Sequence, residues 1–281
     1  MTNKTLNLGG RLLSLEKPAI MGILNVTPDS FFDGERFTSE KEILFQVEKM
    51  LREGATFVDV GGYSTRPGAK EVSVEEEQKR VLGAIKPILK NFPETLISID
   101  TFRSVVARAA IQEGAVMVND VSGGNLDSKM FETVAQLHVP YILMHMRGTP
   151  QTMAQETHYE NLVKEIMDYF HQKLHELSSF HLSDIIIDPG FGFAKTILQN
   201  FELLNHLPYF QALQKTVLVG LSRKSMIWKT LQTTPEEALN GTTSLNTVAL
   251  LKGADILRVH DVKEANEILQ LFSMLSSKPK S

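Results

Sequence analysis

Eight short apolar runs alternate with longer amphipathic runs along almost the whole chain, and this alternation restricts the possible folds more than any other feature. The short runs are rich in Val, Ile, Leu and Met, as expected for strands that are buried on both faces. They occupy residues 19–26, 56–62, 96–100, 116–121, 141–146, 184–188, 216–222 and 254–260. Such repeats of a strand and a helix predict an α/β fold, a parallel (β/α)8 barrel of the TIM type.

The segments between these runs show the apolar spacing of helices, for example over 40–53, 74–89, 159–177 and 262–275. A Gly-Ala pair follows three of the helical segments, at 54–55, 114–115 and 253–254. Glycine is favoured where a chain turns left-handed after a helix C-terminus. We therefore expect positive φ angles at these glycines.

The chain is expected to form a single domain over residues 1–281, with the barrel core over about 18–275, because no linker or charge block divides the sequence. Residues 5–15 predict a short N-terminal β-hairpin that turns at Gly9-Gly10 and covers the bottom of the barrel. The polar tail over 276–281 is predicted to be disordered.

Composition excludes several classes of function. The net charge is −4, so no nucleic acid or membrane partner is expected, since such binding requires a basic surface. The chain has no cysteine, which rules out disulfides, thiolate metal sites and a cysteine nucleophile. The N-terminus lacks the apolar core of a signal peptide, and no run of 18 apolar residues occurs. A cytoplasmic protein without a transmembrane helix is therefore predicted.

Polar side chains recur at the predicted carboxyl ends of the strands, where the active sites of such barrels lie. Any one of them could simply cap the following helix. An aspartate inside an apolar run such as ISID or IIID is different, because a buried carboxylate is costly without a partner. As a set they predict a pocket for a ligand with several N–H donors: Asn25, Asp59, Asp100, Asn119, Asp120, His145, Asp188, Ser222, Lys224, Arg258 and His260.

Two loops that follow the first two strands are rich in Gly, Pro, Ser and Asp, over residues 27–37 and 61–70. We expect both to be mobile and to lie above the barrel mouth, because glycine and proline bend the chain there. Arg66 in the second loop gives it the charged side chain of a lid.

Arg258 and His260 end the last strand, and because side chains alternate along a strand they are expected to face the same way. Phosphate groups often bind near the last two strands of such barrels, so the pair is a candidate diphosphate clamp, with a structural salt bridge as the alternative. The histidines show no zinc spacing, and His145 and His138 are interpreted as core or loop residues. Mg²⁺ held by Asn25 and substrate phosphates fits the sequence better.

The motifs at these strand ends resemble those of the dihydropteroate synthase family. The resemblance runs in order over about residues 20–265 and is specific because the motifs occur together. They are MGILNVTPDSF (21–31), GGYSTRPGA (61–69), ISIDT (97–101), VNDVSGG (118–124), LMHM (143–146), DPGFGF (188–193), VGLSRKSMI (219–227) and RVHDV (258–262).

The family joins 6-hydroxymethyl-7,8-dihydropterin diphosphate to 4-aminobenzoate, releasing pyrophosphate and giving 7,8-dihydropteroate, a folate precursor. The resemblance therefore implies a transferase that uses Mg²⁺ and forms a homodimer. We expect diphosphate departure to leave a pterin cation, which the amine then attacks. Since the ordering of mobile loops costs free energy, pterin diphosphate is expected to bind first and 4-aminobenzoate second.

The resemblance also implies roles for individual residues. The catalytic residues would be Asp100, Asp188 and Lys224. Pterin diphosphate would contact Thr65, Asp100, Asn119, Asp188, Lys224, Arg258 and His260, with Arg258 stacked on the pterin. The 4-aminobenzoate pocket would contain Arg66, Pro67, Phe193 and Ser222, and Asn25 would bind Mg²⁺.

Two positions depart from the family pattern. Tyr63 stands where the family usually has Glu, and it is expected to alter the packing of the second loop. Ala194 stands where the family usually has Gly, and it is expected to stiffen the turn after DPGFGF.

Three other functions share parts of this pattern. A pterin-binding methyltransferase has a related barrel, but it requires a corrinoid partner and has no need of STRPG or SRKS. An aldolase that forms a Schiff base through Lys224 requires a dry pocket that depresses the lysine pKa, whereas Arg223 makes this segment polar. A non-catalytic pterin-binding barrel would have lost key contacts, yet all the named positions are present.

Overall fold

The predicted strands form a closed parallel barrel. The computed structural model describes residues 4–26, 40–64 and 71–276. Its strands are β1 (Thr5–Leu8), β2 (Arg11–Ser14), β3 (Ala19–Asn25), β4 (Phe57–Gly61), β5 (Leu96–Asp100), β6 (Met117–Asp120), β7 (Tyr141–Met144), β8 (Ile185–Asp188), β9 (Thr216–Val219) and β10 (Ile256–Val259). Strands β3 to β10 pair in chain order, and β10 closes the barrel by pairing with both β9 and β3. The predicted (β/α)8 barrel is confirmed.

Helices connect the strands of the barrel. They are α1 (Glu40–Arg52), α2 (Val74–Asn91), α3 (Ser104–Gln112), α4 (Met130–Leu137), α5 (Leu162–Ser178), α6 (Ile197–Asn205), α7 (Ser225–Trp228), α8 (Leu239–Leu251) and α9 (Val262–Ser276). The helix predicted over 159–177 begins later, because the Asn161 side chain accepts the Lys164 N–H and caps α5 there. Among the described residues, no helix combines the length and the apolar character required to cross a membrane.

Some sequence predictions fall on residues outside the described ranges. Residues 27–39 and 65–70 contain most of the two loops predicted above the barrel mouth. The predicted disordered tail also lies largely outside, since the described chain ends at residue 276.

The three Gly-Ala pairs have the backbone conformation that the sequence predicts. The φ angles of Gly54, Gly114 and Gly253 are 101°, 114° and 95°. A Cβ atom added at Gly253 would lie 1.8 Å from the end of the exposed Gln211 side chain, which would have to move, and the positive φ angle itself favours glycine there.

The N-terminal hairpin closes the bottom of the barrel, as predicted. β1 and β2 pair antiparallel around Gly9 and Gly10, which both have positive φ. The hairpin and the residue that follows it bury Leu6, Leu8 and Leu15 against apolar side chains of the barrel strands: Ala19, Met21, Phe57, Met117, Ile142, Ile186, Leu218 and Ile256. This packing removes apolar surface of both parts from water.

We predict that Asp255→Ala loosens this attachment. The Asp255 Oδ2 atom accepts hydrogen bonds from Lys4 Nζ at 2.5 Å and from the Val217 N–H at 2.8 Å. Losing both should lower the free energy of unfolding by about 1–3 kcal/mol, measured by urea denaturation. Glu94→Ala is the control, because its pair with Arg11 is exposed and should change stability by less than about 1 kcal/mol. Equal effects of the two substitutions would contradict the anchoring role.

Candidate functional site

The structure brings the polar strand-end residues together at one end of the barrel. Asp100 ends β5 and pairs in register with Gly61 of β4 and Asn119 of β6. Asp188 ends β8, and Arg258 lies in β10, next to the first barrel strand. The carboxyl ends of parallel strands meet at the same edge, which is why residues far apart in sequence converge here.

Arg258 forms an ion-pair network at the centre of the barrel mouth. Its Nε lies 2.6 Å from Asp59 Oδ2, and its Nη2 lies 2.6 Å from Asp100 Oδ2. The side chains of Arg258, Asp59 and Asp100 are 20%, 0% and 15% exposed. Asp59 Oδ2 also accepts a hydrogen bond from Asn119 Nδ2 at 2.9 Å. One cation is therefore shared by two largely buried carboxylates.

Burial and charge together set the protonation of this network. Burial raises the pKa of Asp100 to about 7; the positive charge of Arg258 opposes the rise, and the negative charge of Asp59 adds to it. Burial also disfavours the charge of Arg258, but the carboxylates of Asp59 and Asp100 outweigh it and raise the arginine pKa. Asp100 therefore titrates near neutral pH while Arg258 stays charged.

Asp188 and Lys224 form the second charged group of the mouth. Asp188 Oδ1 accepts the Gly190 N–H at 2.8 Å, and burial raises the pKa of Asp188 while the Lys224 charge opposes this. Lys224 Nζ donates to the Phe191 carbonyl and lies 4.8 Å from the centre of the Phe193 ring. Burial lowers the pKa of Lys224 to about 8, although Asp188 works against this.

Lys195 holds the loop that follows β8 by donating hydrogen bonds to its backbone carbonyls. Its Nζ lies 2.9 Å from the Gly190 carbonyl, 3.0 Å from the Phe193 carbonyl and 3.2 Å from His145 Nδ1. When Lys195 is charged, its ammonium can only donate, so His145 Nδ1 then accepts and the neutral imidazole carries its proton on Nε2. Burial lowers the pKa of Lys195 to about 7, with Asp188 opposing. Burial also lowers the pKa of His145, and the nearby Lys195 charge adds to this.

His145 and Asp120 are buried and act within the protein itself. His145 is 2% exposed and is hydrogen-bonded to Lys195, which holds the loop after β8. This agrees with the interpretation of His145 as a core histidine. Asp120 has no exposed surface and accepts the Tyr141 hydroxyl at 2.7 Å and the Ser122 N–H at 2.8 Å. Asp120 is therefore a cap of the loop that follows β6.

Arg258 and His260, the predicted diphosphate clamp, have different surroundings. Arg258 is directed to the two carboxylates, whereas His260 is exposed and bonds to Ser222 Oγ through its backbone N–H and through Nδ1, each at 3.2 Å. Ser222 is 5% exposed. The neighbouring Arg223 turns outward and binds both oxygens of Asp261, at 3.0 and 2.8 Å. Lys224 is thus separated from the Arg223 charge.

Asn25 lies half-buried at the end of β3, beside Asp100. A Cβ atom added at Gly61, which pairs with both residues, would lie 3.6 Å from Asn25 Oδ1 and 3.5 Å from Asp100 Cβ. Glycine leaves this space open. No group of three or more His, Asp or Glu side chains that could hold a metal ion occurs among the described residues.

Three of the predicted site residues lie outside the described part of the chain: Thr65, Arg66 and Pro67. The two departures from the family pattern are described. Tyr63 is 8% exposed; its hydroxyl accepts from Gln151 Nε2 at 3.2 Å, and its ring meets Phe102 edge-on at 5.1 Å. Ala194 has a φ of +49°, a left-handed conformation that glycine adopts more easily.

The sequence reasoning gave no role to two buried groups near the mouth. Lys195 was missed because nothing in GFAK shows which way the lysine points. Glu77 was missed because it lies in an acidic run at the start of α2, yet it has no exposed surface. It accepts from Thr101 Oγ1 at 2.6 Å and from Arg103 Nη1 at 2.8 Å, and burial raises its pKa.

We predict that Lys195→Met changes the pH dependence of stability. The folded-state pKa of Lys195 is lowered to about 7, so at pH 7–10 the unfolded chain holds a proton that the folded chain lacks. Wild-type stability should therefore gain up to about 1.4 kcal/mol per pH unit from this group as pH rises, and this gain disappears in the variant. Urea denaturation at several pH values measures it.

The exposed lysine Lys90 provides the control for this experiment. Lys90→Met should leave the dependence of unfolding free energy on pH unchanged. A Lys195→Met variant with the wild-type dependence would show that the buried ammonium does not titrate in this range.

The chain is similar to pterin-binding enzymes along most of its length. The family model described as pterin binding enzyme matches residues 21–260. The dihydropteroate synthase of Haemophilus influenzae is 41% identical over 264 residues, which is 93% of this chain and 95% of the relative.

Two solved structures from Xanthomonas albilineans are similar over almost the whole chain. Its dihydropteroate synthase with 4-aminobenzoic acid has a TM-score of 0.92 at 38% identity, covering 99% of this chain and 100% of that chain. The complex with 7,8-dihydropteroate has a TM-score of 0.88 at 35% identity, covering 98% and 100%. The chain therefore belongs to the dihydropteroate synthase family of pterin-binding enzymes.

Proposed function

We propose that the protein is a dihydropteroate synthase, which joins 6-hydroxymethyl-7,8-dihydropterin diphosphate to 4-aminobenzoate and releases pyrophosphate. The observation that carries this proposal is the convergence of buried acceptors and cations at the barrel mouth: Asp100, Asn119, Asp188, Lys224 and Arg258. The relatives solved with 4-aminobenzoic acid and with 7,8-dihydropteroate support the same substrates here.

The acceptors suit a pterin ring. A pterin has a guanidine-like edge with several N–H donors, and buried carboxylate and amide oxygens require such donors. Asp188 uses Oδ1 for the Gly190 N–H, which leaves Oδ2 for the ligand. The side-chain amide of Asn119 donates to Asp59 through its nitrogen. The side-chain oxygen of Asn119 is left for the ligand. The pterin ring would also stack on the planar guanidinium of Arg258.

The charges suit departure of a diphosphate. When the bond between the methylene carbon and the diphosphate oxygen breaks, the diphosphate leaves with the electron pair and the pterin carries positive charge. Carboxylates at Asp100 and Asp188 stabilise that cation, and the positive charges of Lys224 and Arg258 stabilise the leaving group. The aromatic amine then forms the new carbon–nitrogen bond and loses a proton. This route requires no nucleophilic side chain.

The 4-aminobenzoate would lie nearer the rim. Phe193 is partly exposed and stands beside the Lys224 ammonium, which offers an aromatic surface and a charge to a benzoate. Ser222 supports this side through its hydrogen bonds to His260. Arg66 and Pro67 enter the proposal from the sequence alone, with Arg66 as the partner of the benzoate carboxylate.

Mg²⁺ is proposed as the cofactor. Asn25 offers one amide oxygen at the end of β3, and one protein ligand suits Mg²⁺, which keeps waters and takes further oxygens from phosphate. When bound, the ion would neutralise charge on the departing diphosphate. The residues present fit this arrangement, since Asn25 offers an oxygen ligand and Gly61 places no side chain against it.

We also propose that the protein forms a homodimer and lies in the cytoplasm. The homodimer follows from the family resemblance, and the location follows from the composition. A single domain over residues 1–281 is supported by the barrel, whose strands run from Ala19 to Val259.

We predict that Asp188→Ala weakens pterin binding by at least about tenfold, because donors of the ligand lose a charged acceptor in a buried site. Isothermal titration calorimetry with a pterin measures the affinity, and release of pyrophosphate from the two substrates measures activity. Asp168→Ala, at an exposed carboxylate of α5, should leave both unchanged. A wild-type protein that releases no pyrophosphate from these substrates would refute the proposed function.

Activity is expected to require a divalent cation. EDTA should abolish pyrophosphate release and Mg²⁺ should restore it, because the diphosphate leaves as a highly charged anion. Asn25→Ala should raise the Mg²⁺ concentration needed for half-maximal rate, whereas Asn91→Ala, at an exposed helix end, should not. Full wild-type activity in metal-free buffer would contradict this proposal.

A further inference from the structure

Asp59 lies one level deeper in the barrel than the substrate contacts proposed above. It pairs in register with Ser98 of β5, whereas Gly61, two residues further along β4, pairs with Asp100. The Asp59 side chain has no exposed surface. It is a buried carboxylate at the centre of the site, and the proposed reaction gives it no role.

Asp59 determines how Asn119 presents its amide group. Asp59 Oδ2 accepts from Asn119 Nδ2 at 2.9 Å, and Asn119 is 3% exposed. Turning the amide around would bring its oxygen against the carboxylate, which places two acceptors together. The Asn119 nitrogen is therefore fixed towards Asp59, and its oxygen stays available to accept from a ligand.

Asp59 also determines the plane of the Arg258 guanidinium. Asp59 holds Nε at 2.6 Å and Asp100 holds Nη2 at 2.6 Å. Because the guanidinium is planar with donors in fixed directions, two bonds to separate carboxylates define the orientation of its faces. With Asp100 alone, the group would be free to rotate about a single contact.

The fold uses only one oxygen of this carboxylate among the described residues. Asp59 Oδ1 is buried and has no hydrogen-bond partner among the described residues. A buried acceptor without a partner destabilises the folded state. Buried ion networks are also often no more stabilising than apolar side chains of the same volume. A carboxylate kept at this cost points to a role in the site.

We propose that Asp59 is a positioning residue for the pterin, which sets the amide orientation of Asn119 and the guanidinium plane of Arg258 without touching the substrate. The proposal rests on the proposed function, since it takes the ligand of these two residues to be a pterin. Asp59 should therefore control pterin affinity and leave 4-aminobenzoate recognition nearly unchanged.

The charge of Asp59 also acts on the titration of Asp100. Burial is the largest cause that raises the pKa of Asp100 to about 7; Arg258 opposes it, and Asp59, Glu77 and Asp120 add to it. Without the Asp59 charge this pKa falls, because one repulsion is lost and Arg258 keeps a single carboxylate partner. Pterin binding that uses ionised Asp100 should then persist to lower pH.

The test uses Asp59→Ala, which removes the oxygen that accepts from Asn119 and Arg258. Pterin affinity is measured by calorimetry across pH 5–9, and the KM for 4-aminobenzoate is measured in the complete reaction. We expect pterin affinity at pH 8 to fall by about tenfold or more, as for loss of a charge-assisted hydrogen bond. We expect the KM to change by less than about threefold, and the loss of pterin binding on acidification to begin at lower pH.

Ser98→Ala is the matched control. Ser98 lies at the same level on the neighbouring strand, and its buried hydroxyl also has no hydrogen-bond partner among the described residues. It should leave pterin affinity, the KM and the pH dependence unchanged. A double-mutant cycle of Asp59→Ala with Asn119→Ala should be non-additive, because the first substitution acts partly through Asn119.

Several outcomes would overturn the proposal. They are unchanged pterin affinity in Asp59→Ala, equal losses for both substrates, an unshifted pH dependence, or an additive cycle. If Asp59→Ala does not fold by circular dichroism, Asp59→Leu is tested in the same way, and failure of both variants to fold would make Asp59 a structural residue. Wild-type and Ser98→Ala proteins that bind no pterin would instead count against the proposed function.

Discussion

Closure of the barrel between its first and last strands is the constraint on which the site depends. β10 pairs with β3, and this pairing brings Arg258 to Asp59, 199 residues away in the chain, at 2.6 Å. Loop-closure entropy makes such a contact unfavourable in an unfolded chain. The contact forms when β10 pairs with β3, beside β4, and this pairing closes the barrel. The binding network and the complete fold are therefore formed together.

Burial controls charge throughout the mouth of the barrel. Removal from water raises the pKa values of Asp100 and Asp188 and lowers those of Lys195 and Lys224, so each group is brought nearer to neutral pH. Arg258 is the exception, because two carboxylates overcome its desolvation. The site thus combines one permanent cation with several groups whose protonation can respond to a ligand.

The fold was largely predictable from the sequence, because strand burial and helix spacing repeat with clear periods. The Gly9-Gly10 turn and the strand-end aspartates Asp100 and Asp188 carried equally local signals. The parts that could not be predicted depend on tertiary contacts. Glu77 looks like an exposed helix-start acid until Thr101 and Arg103 cover it.

The directions in which the side chains around the barrel mouth point could not be predicted from the sequence either. Lys195 points inward after Ala194 adopts a left-handed φ, and Arg223 turns away to Asp261 although it adjoins Lys224. The joining of the hairpin to the barrel by Lys4 and Asp255 spans 251 residues. No local pattern reports such a pairing, because it depends on which surfaces meet once the barrel has closed.

The leucines that cover the bottom of the barrel determine the side from which a ligand reaches the site. Leu6, Leu8 and Leu15 pack against the lower ends of the strands, so the hairpin and the residue after it cover that end of the barrel. A ligand of Asp100 and Asn119 is therefore expected to enter and leave at the opposite end, where the strands have their carboxyl ends.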